Sequence, residues 1–323
     1  MTPPSITLGL TPSIVSRYSA FVLDQYGVLH DGAKPLPGAV ECVAHLKASN
    51  KKLAILSNTS AAPEAALERL YSTLGFAPGS FDVAVTSGGE CSKHFREKIS
   101  TPDKVTKVLL FTWSGEEAKI KTSSFLSSLG NVEITANPAE CDVAVAHGSD
   151  LVLGDIDDLG GEVEHPLTGL RWNCEYGALD PWLRELSSRA VPMYSANPDL
   201  KVVTSNNDIN YMPGVICKRY ESEFDGAVTY FGKPHKEHFL ACSEALGVAA
   251  DQTCHVGDSL HHDILGANDA GMSSIFVGSG IHRDECMVEG KVDENMLGLM
   301  IQREGGDSVA PTHAVQLFKM HED

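Results

Sequence analysis

Short apolar runs alternate along this chain with longer segments in which apolar residues return every third or fourth position, the rhythm of strands and helices. Phe21-Val22-Leu23 leads straight into Asp24, and Lys52–Leu56 is a second such run, so Phe21–Asp24 and Lys52–Leu56 are predicted strands. Between them the spacing predicts a helix from about Gly38 to Ala48, with Val40, Val43, Ala44 and Leu46 as its apolar face. A further helix fits Pro63–Leu74, with Pro63 in the first turn. Asp82–Val85 predicts a third strand, ending in Thr86-Ser87-Gly88-Gly89. The pattern resumes late in the chain with a strand at Thr253–Val256, a helix at His261–Asp269 and a strand at Ser274–Val277. Strands alternating with helices predict an α/β fold, a parallel sheet joined by crossover helices.

Residues from about 101 to 207 carry strands of their own, at Lys107–Phe111, Val132–Thr135, Asp142–Ala146 and Pro192–Ser195, and a polar, Gly-rich stretch around Leu153–Gly161. This middle predicts a second α/β unit (101–207) inserted into a core made of 1–100 and 208–323, a division that 323 residues accommodate comfortably. Hydrophobic content of 42% with 21% charged residues excludes a disordered chain.

The formal net charge of −18 argues against nucleic acid and anionic membrane surfaces as partners. It does not argue against an anionic substrate, because a bound divalent cation reverses the local field. The eight cysteines show no C-x-x-C pair and no zinc-like spacing, which predicts free, mostly buried thiols. The first twenty residues lack a charged start followed by an apolar run, and no stretch reaches the roughly 18 apolar residues of a membrane span. The expected location is therefore cytoplasmic, and the sequon at Asn58-Thr59-Ser60 is incidental.

Four segments place a polar group just past an apolar run: Asp24 in VLDQYG, Ser57 in LAILSNTS, Lys233 in TYFGKPH, and Asp258 with Asp263 in CHVGDSLHHDILGANDAG. In a parallel sheet the carboxyl ends of neighbouring strands lie side by side, so these groups are expected to converge in one crevice. A carboxylate there can attack phosphorus, and phosphoryl transfer needs little beyond positioning and charge neutralisation. The hard oxygen ligands, with no His or Cys cluster, point to Mg²⁺.

Each signal alone has an ordinary explanation. A strand-terminal Asp caps turns, Ser57-Asn58 suits a turn, Lys233 suits a solvated loop, and Asp258-Ser259 and Asp263 suit a helix start and a surface charge. It is their order as a set that carries the reading. Gly278-Ser279-Gly280 is too short a motif to signify nucleotide binding, and Trp172, Tyr176 and Trp182 read as core. His261-His262-Asp263 is not a transition-metal site, since adjacent helical residues point apart.

In content and order these segments resemble the haloacid dehalogenase superfamily over nearly the whole chain. Similarity is greatest to its class IIA phosphatases, the p-nitrophenyl phosphatase and phosphoglycolate phosphatase types. The matching stretches are DGAKPLPGA, TSGGE, SANPDL, GKPHKEHF and GDSLHHDILGANDAGM. The resemblance implies a Rossmann-like, doubly wound parallel core with an inserted α/β cap. It implies a Mg²⁺-dependent phosphatase of small phosphomonoesters, and a homodimer formed through the cap. Asp24 would form an aspartyl-phosphate, Ser57 and the Asn58 backbone would hold phosphoryl oxygens, and Lys233 would neutralise charge. Asp24, the Tyr26 carbonyl, Asp258 and Asp263 would hold the metal. Asn197 and Asp199, in the Asn-Pro-Asp of the cap, would approach the substrate, although that tripeptide also suits a plain turn.

Tyr26 departs from the pattern, standing where the family carries an Asp that protonates the leaving oxygen and then activates water. Such acid–base help is worth roughly 10²–10⁴-fold. With a pKa near 10, Tyr is a poor base at neutral pH. His30, His235, His261 and His262 are candidate substitutes, because only His titrates near pH 7 unperturbed. Two alternatives follow: a weak or inert binding or regulatory protein that keeps the fold, and a haloacid dehalogenase, whose enzymes share x-Tyr-Gly after the nucleophile. Asp258 and Asp263 argue against the dehalogenase, since carbon attack needs no metal and bare carboxylates beside Asp24 repel.

Overall fold

The computed structural model describes residues 4–113, 122–153, 176–203 and 209–322. They form two compact units. The first comprises Met1–Ser57, Glu64–Val85 and Lys233–Asp323. Its seven-stranded sheet has the order Ser5–Thr7, His313–Val315, Ser273–Val277, Thr253–Gly257, Ala20–Leu23, Lys52–Ser57, Val83–Thr86. Every pairing from Ser5–Thr7 across to Lys52–Ser57 is parallel, with Leu23 in register with Ile55 on one side and Val256 on the other.

Both faces of this sheet are covered, which is why its strands read as unbroken apolar runs. Phe21 and Leu23 pack on one face with Leu53, Ile55, Cys254, Val256 and Ile275. Ala20 and Val22 pack on the other with Ala54, Leu56 and Phe239. From Ala20–Leu23 the chain builds Lys52–Ser57 and Val83–Thr86 on one side, and from Thr253–Gly257 it builds Ser273–Val277 and His313–Val315 on the other. Ala20–Leu23 and Thr253–Gly257 are neighbours, so the switch in direction falls between them, where open α/β sheets hold their ligands.

Two local expectations shift. The helix Ala39–Ala48 buries Ala39, Cys42, Val43 and Leu46, while Ala44 is exposed. Cys42 completes an i, i+3, i+4, i+7 stripe that the face centred on Val40 and Ala44 lacks. The predicted helix His261–Asp269 is two pieces, a wide π turn at Leu260–Ile264 followed by Leu265–Asp269. Ser259 starts that turn: its Oγ accepts from the His262 N–H at 3.1 Å, and its carbonyl accepts from both Asp263 and Ile264 at 3.0 and 3.2 Å.

The second unit comprises Asn58–Pro63 and Thr86–Gly232. Its six-stranded sheet runs Val228–Tyr230, Met193–Ser195, Val143–Ala146, Thr106–Thr112, Val132–Ile134, with Leu151–Val152 antiparallel against Thr106–Thr112. This unit extends beyond residues 101–207 at both ends. Helix Gly214–Phe224 buries Ile216, Cys217 and Tyr220 in its core, the Tyr220 hydroxyl donates to the Val191 carbonyl at 2.7 Å, and Val228–Tyr230 pairs with Met193–Ser195. Residues 154–161 of the Gly-rich stretch, Trp172, Cys174 and the side chain of Tyr176 lie outside the described residues. The seven described cysteines are buried and none is in a disulfide, Trp182 packs on the unit's core, and no described helix is long and apolar enough to cross a membrane.

The TSGG stretch of the second unit grips the loop that follows Ser57. Ser87 Oγ donates to the Thr59 carbonyl at 2.9 Å, Gly88 N donates to the same carbonyl at 3.1 Å, and Thr86 Oγ1 donates to the Ala61 carbonyl at 2.7 Å. A Cβ on Gly88 would collide with the Ser60 backbone. Because that neighbour is main chain, it cannot rotate away. Gly88→Ala is expected to destabilise the fold by about 1–3 kcal/mol, the usual range for overpacking. A shift of the urea midpoint at constant m-value checks this, and an unchanged midpoint would show that the loop yields freely.

Candidate active site

The carboxyl ends of the two central strands of the first unit carry the chemistry. Asp24 follows Ala20–Leu23 directly, and its N–H donates to the Val256 carbonyl at 2.9 Å, so the sheet ladder fixes its backbone. Asp258 follows the neighbouring strand Thr253–Gly257 in the same way. Asp263 sits on the wide turn just beyond. One oxygen from each of these three buried carboxylates lies within 4.8 Å of the others.

Lys233 ties two of them together. Its Nζ donates to Asp24 Oδ1 at 2.6 Å and to Asp263 Oδ1 at 2.7 Å. Asp263 is held from two further directions, with Oδ2 accepting from the Ser259 N–H at 3.0 Å and Oδ1 meeting His255 Nε2 at 2.8 Å. Asp258 Oδ2 accepts from the Ile281 N–H at 2.8 Å. Gly27, at φ +82°, and Gly280 flank that oxygen so closely that a Cβ on either would collide with it. The glycine three residues after Asp24 therefore makes room for Asp258.

Charge explains what the cluster needs. Burial raises the Asp24 carboxyl to about 7, against the opposing pull of Lys233. Burial, with Asp24 and Asp263 as neighbours, raises Asp258 well above the usual carboxylate range. Burial also opposes the charge on Asp263, but Lys233 and His255 outweigh it and hold that carboxyl low. Burial disfavours the Lys233 ammonium, yet Asp24 and Asp263 overcome this and raise its pKa. With all three carboxylates ionised, one ammonium would leave excess negative charge, and charges are buried only when compensated. The donor set consists of hard oxygens and suits a divalent cation such as Mg²⁺.

Asp24, Lys233, Asp258 and Asp263 thus meet as the sequence suggests. Ser57 ends the strand on the other side of Ala20–Leu23 and is buried. Tyr26 is half-buried, and burial, with Asp31 and Asp258 nearby, raises its phenol above the ordinary value. His30 is the buried one among the four candidate histidines, its ring edge-on to Tyr26 at 6.1 Å and its Nδ1 accepting from the Gly32 N–H at 3.0 Å. His235 and His261 are exposed and His262 is partly so.

Asn58, Asn197 and Asp199 come together within the second unit. Asn58 Nδ2 donates to Asp199 Oδ1 at 2.8 Å. Asn197 Oδ1 accepts from the Asp199 N–H at 2.9 Å, so the Asn-Pro-Asp segment is also a turn in its own right.

Sequence reasoning misses His255 and the Gly280-Ile281 support of Asp258. His255 is fully buried in the middle of Thr253–Gly257 and lies edge-on to the Phe239 ring at 4.9 Å. Burial lowers its pKa, with Asp263 opposing. The available signal is a histidine inside an apolar strand, eight residues before Asp263.

The chain matches the family model of haloacid dehalogenase-like hydrolases over residues 21–125 and an HAD-hydrolase-like model over 230–295. It is similar to the glycerol-3-phosphate phosphatase of Rattus norvegicus, with 24% identity over 83% of this chain and 81% of that one. In fold it is similar to a haloacid dehalogenase-like hydrolase from Brucella suis, at 20% identity and TM-score 0.69 over 96% of this chain and 99% of that one. The p-nitrophenyl phosphatase from Archaeoglobus fulgidus superposes with TM-score 0.64 at 22% identity, over 93% and 96% of the two chains. With its motifs in the same order and its carboxylates on neighbouring strand ends, the chain belongs to the haloacid dehalogenase-like hydrolases, in their class IIA phosphatase branch.

Proposed function

We propose that this chain is a Mg²⁺-dependent phosphatase of small phosphomonoesters that works through an aspartyl-phosphate on Asp24, slowed by the tyrosine at position 26. The observation that carries this reading is the buried Lys233 ammonium shared by Asp24 and Asp263 at 2.6 and 2.7 Å. A silent site has no physical need to bury an ion-pair network of this kind. The names of the relatives support phosphomonoester hydrolysis, since glycerol-3-phosphate phosphatase and p-nitrophenyl phosphatase are among them.

In the first step the Asp24 carboxylate attacks phosphorus while the bond to the leaving oxygen breaks. Water then cleaves the acyl phosphate, which restores Asp24 and releases inorganic phosphate. Lys233 stabilises charge gathering on the phosphoryl oxygens, and Ser57 supplies a hydroxyl donor to them. A bound Mg²⁺, held by the Asp24 and Asp258 carboxylates and the Tyr26 carbonyl with Asp263 in support, would neutralise phosphoryl charge. Asn58, Asn197 and Asp199 are assigned to substrate binding. The second unit is taken as the cap, a homodimer through it and a cytoplasmic location complete the reading, and a small phosphorylated metabolite is the expected substrate.

Tyr26 removes the general acid and base from this scheme. Its phenol stays protonated at neutral pH and can donate a hydrogen bond, but it does not activate water. Tyr26 also favours a second reading, a binding or regulatory protein with little turnover. Mg²⁺-dependent binding of BeF₃⁻, lost in Asp24→Asn, supports the competent nucleophile, and no binding favours the second reading.

Steady-state assays with Mg²⁺ are expected to show turnover of p-nitrophenyl phosphate well above that of glycerol phosphate, because an aryl leaving group needs no acid. Asp24→Asn is expected to abolish both activities. Equal, high turnover on the two substrates would show that a working acid and base is present after all. Tyr26→Asp is expected to raise glycerol phosphate turnover by about 10²-fold, the lower end of what general acid–base catalysis contributes. An unchanged rate in a folded Tyr26→Asp variant would remove position 26 as the limiting feature.

A further inference from the structure

Asp263 is the most heavily hydrogen-bonded carboxylate of the site. Its Oδ1 faces Lys233 Nζ at 2.7 Å and His255 Nε2 at 2.8 Å, and its Oδ2 takes the Ser259 N–H at 3.0 Å. A carboxylate oxygen only accepts, so the proton in the contact with His255 belongs to Nε2. In the neutral ring, which burial favours, that leaves Nδ1 without a proton. The ring cannot swing away, because it is fully buried in a central strand and packed edge-on to Phe239 at 4.9 Å.

We infer that His255 is a positioning residue of the site, whose Nε2–H orients the Asp263 carboxylate and through it sets the Lys233 ammonium against Asp24. Two donors compete for a single oxygen, Asp263 Oδ1. While His255 occupies part of it, Lys233 is shared between Asp263 and Asp24. Without that second donor, Asp263 Oδ1 draws the ammonium toward itself and away from the nucleophile. The carboxylate also gains freedom to turn, which loosens its place in the group of carboxylates around the cation. Supporting donors of this type usually change metal affinity or activity by roughly 10–100-fold when lost. The inference rests on the phosphatase reading for its effect on turnover, but not for its effect on the cation site.

The test uses the full chain with His255→Met, which fills similar volume without a donor, and His255→Gln, whose amide nitrogen reaches about as far as Nε2. Isothermal titration with MgCl₂ alone is expected to show about tenfold weaker binding for His255→Met, with most of the loss recovered by His255→Gln. With p-nitrophenyl phosphate, kcat of His255→Met is expected to fall about tenfold while KM stays within twofold, and His255→Gln is expected to recover most of kcat. A melting curve for each variant separates misfolding from a loosened site. A folded His255→Met with wild-type Mg²⁺ affinity and kcat would overturn the inference, as would a His255→Gln as impaired as His255→Met. A wild-type chain that hydrolyses no phosphomonoester would defeat the phosphatase reading alone, leaving the Mg²⁺ titrations to decide the role of His255.

Discussion

The site depends on one interaction, the buried Lys233 ammonium held between Asp24 and Asp263 at 2.6 and 2.7 Å. Three carboxylates packed with ligand atoms within 4.8 Å repel strongly once water is excluded. Burial, with the neighbouring carboxylates adding to it, pushes Asp24 and Asp258 upward, while Lys233 and His255 hold Asp263 low. The fold therefore presents a cluster short of positive charge, a condition that a divalent cation relieves and a phosphoryl group can then exploit. Both needs are electrostatic, and both are met by side chains fixed to strand ends.

That fixing explains why so much of the site is legible in the amino-acid sequence. Asp24 and Asp258 each follow an apolar strand directly, and in a parallel sheet such positions share one edge. Lys233 follows Gly232 after a short apolar stretch, and Asp263 falls on the turn that Ser259 begins. The strands are legible for the same reason. Burial on both faces makes them continuous apolar runs, so strand type does not depend on a subtle alternation.

What the sequence hides depends on tertiary neighbours. His255 breaks an apolar run without changing its period, and only the position of Asp263 across the turn gives the ring a task. Gly280 and Ile281 support Asp258 from a distant loop. The limits of the second unit are hidden similarly: helix Gly214–Phe224 is amphipathic wherever it lies, and the sheet it packs on decides its unit. The buried face of helix Ala39–Ala48 is displaced from the expected one because Cys42 behaves as a small apolar residue.

Tyr26 shows that two parts of the chemistry are physically separable. The loop around it still does its structural work, with Gly27 N donating to the His30 carbonyl at 2.9 Å and the bare Gly27 Cα leaving room for Asp258 Oδ2. Those tasks use main chain and an absent side chain, so a phenol at position 26 leaves them intact. Proton transfer uses the side chain itself and changes completely, because burial with Asp31 and Asp258 nearby moves the phenol further from neutrality. In the proposed mechanism, attack on phosphorus draws on the Lys233–Asp24–Asp263 network rather than on the phenol. Under the proposed mechanism, the chain therefore keeps the apparatus that forms a covalent phosphoryl intermediate and lacks the group that hastens its formation from poor leaving groups and its hydrolysis.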